Sequence, residues 1–122
     1  MEYFYRGFRF TKDKGQLDPR AVQRLLEQTY WANDRSLSVI AKSMKNSLCF
    51  GVFSPENRLV GFARMLTDYA VTYYVSDVVI DKDYRNQSIG THLIKFMAES
   101  EEARGLKGIL LTTYAHSFYE KL

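Results

Sequence analysis

The stretch Val75–Leu93, reading VSDVVIDKDYRNQSIGTHL, constrains this chain more than any other. Its first part carries β-branched Val75, Val78, Val79 and Ile80 and is ended by the polar run Asp81–Asp83, which predicts a strand. Its last part leads into Leu93, Ile94 and Met97 at helical spacing, which predicts a helix starting near Ser88–Gly90. Between them lies Arg85-Asn86-Gln87-Ser88-Ile89-Gly90. A turn of this kind aims several backbone N–H groups at one point, where the helix dipole is positive, and so suits a phosphate or pyrophosphate. Arg85 adds a cation there, and Gly90 lets a ligand approach the backbone closely.

The elements around this stretch can be taken in chain order. Tyr3–Thr11 alternates aromatic and polar residues through Phe4, Arg6, Phe8 and Phe10, which predicts one strand. After a polar turn with Gly15, Asp18 is placed to cap a helix whose first residue is Pro19. Val22, Leu25, Leu26 and Thr29 form its apolar stripe. The run Tyr30-Trp31-Ala32-Asn33-Asp34-Arg35 breaks the pattern, and Ser36 or Ser38 caps a second helix carrying Ile40 and Met44.

Leu48–Phe53, Arg58–Thr67 and Thr72–Ile80 then predict three strands with short links, an antiparallel meander. A helix over Gly90–Arg104 follows, stopped by Gly105. Gly108–Thr112 is a short apolar strand, parallel to Thr72–Ile80 because a helix joins them, and Ala115–Lys121 starts a last helix. The expected order is β-α-α-β-β-β-α-β-α: an α/β (α+β) fold with a mixed, mostly antiparallel central sheet flanked by helices.

Composition excludes several classes. A chain of 122 residues with 46% hydrophobic and 25% charged residues is expected to be one domain, residues 1–122, with its own core. The net charge of +3 is scattered, with no Lys/Arg block, so a nucleic-acid partner is not expected. No apolar run approaches the roughly 20 residues of a membrane span, and no signal-peptide core opens the chain. The lone Cys49, inside an apolar strand, excludes an internal disulfide and fits a reducing cytoplasm, the expected location. His92 and His116 have no Cys or carboxylate at a metal-ligand spacing, and no metal site is expected.

The spacing Arg85-x-x-Ser88-x-Gly90, after an apolar strand and before an amphipathic helix, resembles the acyl-CoA signature of the GNAT superfamily of N-acetyltransferases. The family pattern is Gln or Arg, two residues, Gly, one residue, then Gly or Ala; this chain departs from it at Ser88. A serine N–H there can still donate to phosphate as long as its backbone need not take a positive φ. The order of elements also matches the family, less its last strand or two. The run from Tyr30-Trp31 through Ser47–Val52, Val60–Arg64 and Thr67-Asp68 to Asp77-Val78 is similar to a subgroup of small bacterial members.

The resemblance implies acetyl-CoA as the cofactor. It implies that Val78, Val79 and Ile80 hold the pantetheine arm and acyl carbonyl through their backbone, where family members carry a bulge that splays two strands apart. It implies that Arg85, Asn86, Gln87, Ser88, Ile89, Gly90 and Thr91 hold the pyrophosphate. Ala115–Leu122 resembles a family segment whose tyrosine often acts as general acid, so Tyr119 is the candidate proton donor to the leaving thiolate. The alternative is that Tyr119 only packs its helix on the sheet.

Other candidates follow from residue type. Asp77 lies inside an apolar strand, where an unpaired carboxylate is costly; it is either paired or a catalytic base with a raised pKa. Asp68, at the preceding turn, can attract a cationic amine. Tyr30 and Trp31 fall where this fold lines its acceptor pocket, and can wall in a cationic amine or anchor the core. Arg64 can pair with Asp68 or Asp77, or hold a substrate carboxylate. His116 can be a base or a capping residue.

The expected activity is acetyl transfer from acetyl-CoA to a primary amine, on a small molecule or a protein, by direct attack. The alternative is a non-catalytic acyl-CoA-binding or protein-interaction module. The sequence stops where the family continues with another strand beside Gly108–Thr112, which leaves an apolar edge. A homodimer covering that edge, or a mobile closing helix, is the expectation.

Overall fold

The computed structural model describes residues 2–110. Six strands form one sheet in chain order: β1 (Glu2–Tyr5), β2 (Phe8–Thr11), β3 (Leu48–Phe53), β4 (Leu59–Thr67), β5 (Thr72–Ile80) and β6 (Lys107–Leu110). All neighbours are antiparallel except β5 and β6, which run parallel as expected for strands joined through a helix. The helices are α1 (Pro19–Leu26), α2 (Leu37–Lys45) and α3 (Ile89–Ala98). The Ala115–Lys121 segment, with His116 and Tyr119, lies outside the described residues.

Local chemistry sets the element ends. The Asp18 carboxylate accepts from the Arg20 N–H with Pro19 in the first helical turn, and the Ser36 hydroxyl accepts from the Val39 N–H. Two expectations need correction. Tyr3–Thr11 is a hairpin, not one strand: Arg6 (φ 50°) and Gly7 (φ 83°) form its two-residue turn, a conformation whose twist matches the paired strands. The helix predicted to reach Arg104 ends at Ala98. Just past it, the Ser100 hydroxyl donates to the Met97 carbonyl at 2.6 Å, a local side-chain bond that competes with helix continuation. Gly105 (φ 83°) serves the turn into β6 instead.

Two cores lie on opposite faces of the sheet. Leu93, Ile94 and Met97 of α3 pack with Phe10, Phe50, Val52, Val60 and Met65 on one face. Val22, Leu25 and Leu26 of α1 and Ile40 and Met44 of α2 pack with Cys49, Phe62 and Val79 on the other. Along β5 the residues facing α3 switch from odd (Tyr73, Val75) to even (Val78, Ile80). The switch is the work of a bulge: Phe62 pairs Val79 while Arg64 pairs Ser76, so β5 carries one residue more than β4 across this interval. Asp77 sits there at φ 56°. The bulge turns its carboxylate toward the linker between α1 and α2.

Candidate functional site

The bulge, the end of β5 beyond it and the turn into α3 follow one another along the chain and hold most of the candidate residues. The Asp77 carboxylate is buried and fully engaged. Its Oδ1 accepts from Trp31 Nε1 at 3.0 Å; its Oδ2 accepts from Arg35 Nη1 at 2.7 Å and from Arg64 Nε at 2.8 Å. Arg64 also donates to the Ser47 hydroxyl at 2.9 Å and the Ser76 hydroxyl at 3.5 Å. Burial pushes the Asp77 carboxyl up, but the hydrogen bonds and charges of Arg35 and Arg64 outweigh it and hold its pKa below the usual range. Of the two expectations for Asp77, the structure shows the paired anion. The raised pKa that a catalytic base would need is absent, because two guanidiniums neutralise it.

The structure therefore brings Trp31, Arg64 and Asp77 together. It adds Arg35, which the sequence offered only as part of a pattern-breaking run. Its signal was present: a buried carboxylate with one cation in reach demands further donors, and the linker holding Trp31 carries Arg35 four residues on. Tyr30 is exposed and stands edge-on to Trp31, ring centroids 5.2 Å apart. Asp68 does not join this group. Its Oδ1 accepts from the backbone N–H groups of Ala70, Val71 and Thr72 at 2.9, 2.8 and 3.2 Å, holding the β4–β5 turn. Those bonds, with Val71 first, keep its pKa low; they engage Oδ1 in the turn, and the residue is exposed.

Beyond the bulge, β5 changes neighbours. β6 pairs with it over Thr72–Val75, where Val75 meets Leu110, the last described residue. From Ser76 to Ile80, no strand among the described residues pairs with the edge facing away from β4. That edge holds the backbone of Val78, Val79 and Ile80, the expected pantetheine-binding residues.

The edge runs into the turn. Asp81 caps a short 3₁₀ turn, accepting from the Asp83 N–H at 2.9 Å, and Arg85 Nε donates to the Ile80 carbonyl at 3.1 Å. Asn86, Gln87 and Ser88 are exposed, while Ile89 and Gly90 are buried as α3 begins. Ser88 precedes α3 with φ 64° and makes no side-chain capping bond. The positive φ corrects the expectation that this serine could avoid the conformation a glycine would take. The N–H groups of the first turn, Ile89, Gly90 and Thr91, have no partner within a helix by geometry, and no side chain caps them. They stand open to an anion at the positive end of the dipole.

A bulged strand thus leads through an exposed turn into a helix whose first N–H groups are uncapped by any side chain of the described residues. The acetyltransferase (GNAT) family model matches residues 12–122. The chain belongs to the GNAT family.

Among solved structures, a protein assigned to the GNAT family from Xanthomonas campestris pv. campestris is 32% identical, with a TM-score of 0.85, covering 93% of this chain and 81% of that one. A histone acetyltransferase of Glycine max is 28% identical over 80% of this chain and 46% of its own length. An uncharacterised N-acetyltransferase of Prochlorococcus marinus is 28% identical over 78% of this chain and 54% of its own. This GNAT chain thus spans about half the length of the curated relatives it matches. The fold agrees with the family throughout the described residues. Among those residues no group of His, Cys, Asp or Glu is arranged to hold a metal ion, and no helix is long and apolar enough to cross a membrane. Cys49 is buried and its thiol pKa is pushed up by that burial, so it packs as a small apolar side chain.

Proposed function

We propose that this chain transfers an acetyl group from acetyl-CoA to a primary amine by direct attack. The observation that supports the proposal best is the bulged end of β5, with Asp77 at φ 56°, running through an exposed turn into a start of α3 that no side chain among the described residues caps. The first suits an extended pantetheine arm; the second, with Arg85, suits the pyrophosphate. Acetyl-CoA supplies the activated acyl group, and the chain supplies position and charge. The residues present fit that ligand through backbone donors: Ser88 takes the left-handed conformation that the family's glycine would take, at φ 64°, and so precedes the same uncapped N–H groups of Ile89, Gly90 and Thr91.

In the reaction the amine nitrogen forms a bond to the acyl carbon as the carbon–sulfur bond breaks. One proton leaves the ammonium before attack, a second leaves the nitrogen after it, and the thiolate departs with a proton as free thiol. With Asp77 held as a paired anion, its role is to position Trp31, Arg35 and Arg64 around the bulge, and water takes the proton from the amine. Tyr119 is assigned as proton donor to the thiolate. Tyr119→Phe then lowers kcat by about 100-fold or more with little change in acetyl-CoA affinity, the size typical of general acid catalysis. An unchanged kcat, where chemistry limits the rate, would make Tyr119 a packing residue.

The proposal is tested by titrating acetyl-CoA calorimetrically and following free-thiol release against a panel of primary amines. Saturable binding with amine-dependent release is expected. Binding without turnover on any amine would make the chain an acyl-CoA-binding module, and no binding would refute both.

A further inference from the structure

The cluster at the bulge carries more positive charge than Asp77 can neutralise. Arg35 and Arg64 bring two guanidiniums against one carboxylate, leaving one net positive charge in a largely buried place. Arg64 is consumed: it bonds Asp77, Ser47 and Ser76, and its side chain is 15% exposed. Arg35 is not. Among the described residues its guanidinium makes one bond, Nη1 to Asp77, and its side chain is 23% exposed. Asp34, its neighbour in the chain, is exposed and forms no ion pair among the described residues. The remaining N–H groups of Arg35 thus form a planar donor fork at the rim of the cluster. Next to it, through the shared Asp77 carboxylate, stands Trp31, with Tyr30 edge-on beyond.

We infer that the acceptor is a small amine that also bears a carboxylate, a free amino acid in the simplest case, with Arg35 as the residue that selects for it. The inference rests on the acetyl-transfer reading above. One excess positive charge is balanced by a monoanion, and a guanidinium fork matches the planar geometry of a carboxylate. The indole of Trp31, bonded to the same Asp77 carboxylate, suits the ammonium end of the same molecule. An acceptor without an anion leaves the Arg35 N–H groups that do not face Asp77 without a substrate acceptor, so discrimination arises from an unmet donor as well as from an attraction.

The test compares free L-amino acids with the matching L-amino acid amides as acceptors. The amide has the less basic, more readily deprotonated amine, so intrinsic reactivity favours it. The wild-type chain is expected to reverse that order, with kcat/KM for the carboxylates higher by about 10- to 100-fold, the worth of a charge-assisted hydrogen bond. Arg35→Gln should bring the ratio near unity with acetyl-CoA affinity retained, and Arg35→Lys should restore part of it. If Arg35→Gln does not fold, the wild-type ratio still serves: it should fall as salt rises from about 0.05 to 0.5 M, as screening requires. Amides matching the carboxylates, a preference that survives in Arg35→Gln, or turnover of neither class while acetyl-CoA still binds would each overturn the inference. Failure of acetyl-CoA to bind at all would instead refute the acetyl-transfer reading beneath it.

Discussion

Asp77, Asn86 and Ser88 in this site all have positive φ, and the first and last of them are held in opposite ways. Asp77, at the bulge, has φ 56°; Ser88, at the start of α3, has φ 64°. Each sits where strain of about 1–2 kcal/mol is expected. At Asp77, three side chains converge on the carboxylate and lock it. At Ser88, no side-chain bond helps, and the residue is exposed. Strain at the bulge is thus compensated from within the fold, by contacts tying the α1–α2 linker to β5. Strain at the turn has no such side-chain partner among the described residues, and the pyrophosphate proposed to bind there would be the source of compensation.

The contrast can be broken most forcefully at Asp77. Asp77→Ala removes the one anion from between two partly buried guanidiniums and should cost about 3–5 kcal/mol of unfolding free energy, measured by urea denaturation. Asp77→Gly relieves the same backbone strain yet should remain strongly destabilised, because the lost pairing outweighs the relief. A Gly variant as stable as wild type would show that the cluster contributes nothing.

Acid sharpens the same point. The folded Asp77 pKa lies below the ordinary value of 3.8. A depressed carboxylate contributes stability that is present above the unfolded pKa and lost as pH falls through the folded one. The stability advantage of wild type over Asp77→Asn should therefore hold at neutral pH and shrink below about pH 4. An advantage that grew on acidification would reverse the assignment.

At the turn the expected change is smaller and of opposite sign. Ser88→Gly removes the positive-φ penalty without losing a capping bond, and should raise stability by up to about 1 kcal/mol, less whatever entropy the glycine adds to the unfolded chain. It should also leave acetyl-CoA binding intact or tighter. A destabilised Ser88→Gly chain would mean the hydroxyl holds something the uncapped geometry does not show.

The contrast also explains what the sequence could reveal. The meander was legible because Leu48–Phe53 and Thr72–Ile80 are apolar runs bounded by turn chemistry. Asp18-Pro19 marked its helix start for the same local reason. The β1–β2 turn was hidden because aromatic residues continue on both sides of Arg6-Gly7, and arginine is a poor signal for a positive φ. The end of α3 was hidden because apolar spacing runs on to Ala103, which is buried without being helical. At the site, the place of the turn between β5 and α3 was legible because apolar runs at strand and helix spacing flank it. The cluster was legible in part: Asp77 announced a need for partners, but that Arg35 meets it while Asp68 serves its own turn is decided by the register of the bulge. A one-residue insertion that inverts which face a side chain takes leaves no local trace in sequence.

The account stands on the claim that an acyl-CoA pyrophosphate occupies the turn beside the bulged end of β5. Calorimetric titration of acetyl-CoA into the wild-type and Arg85→Ala chains tests it most directly. Single-site binding in the wild type is expected, weakened by about 1.5–3 kcal/mol in the variant, the range for losing hydrogen bonds from a charged group. Equal affinity in both chains, or no binding in the wild type, would contradict it.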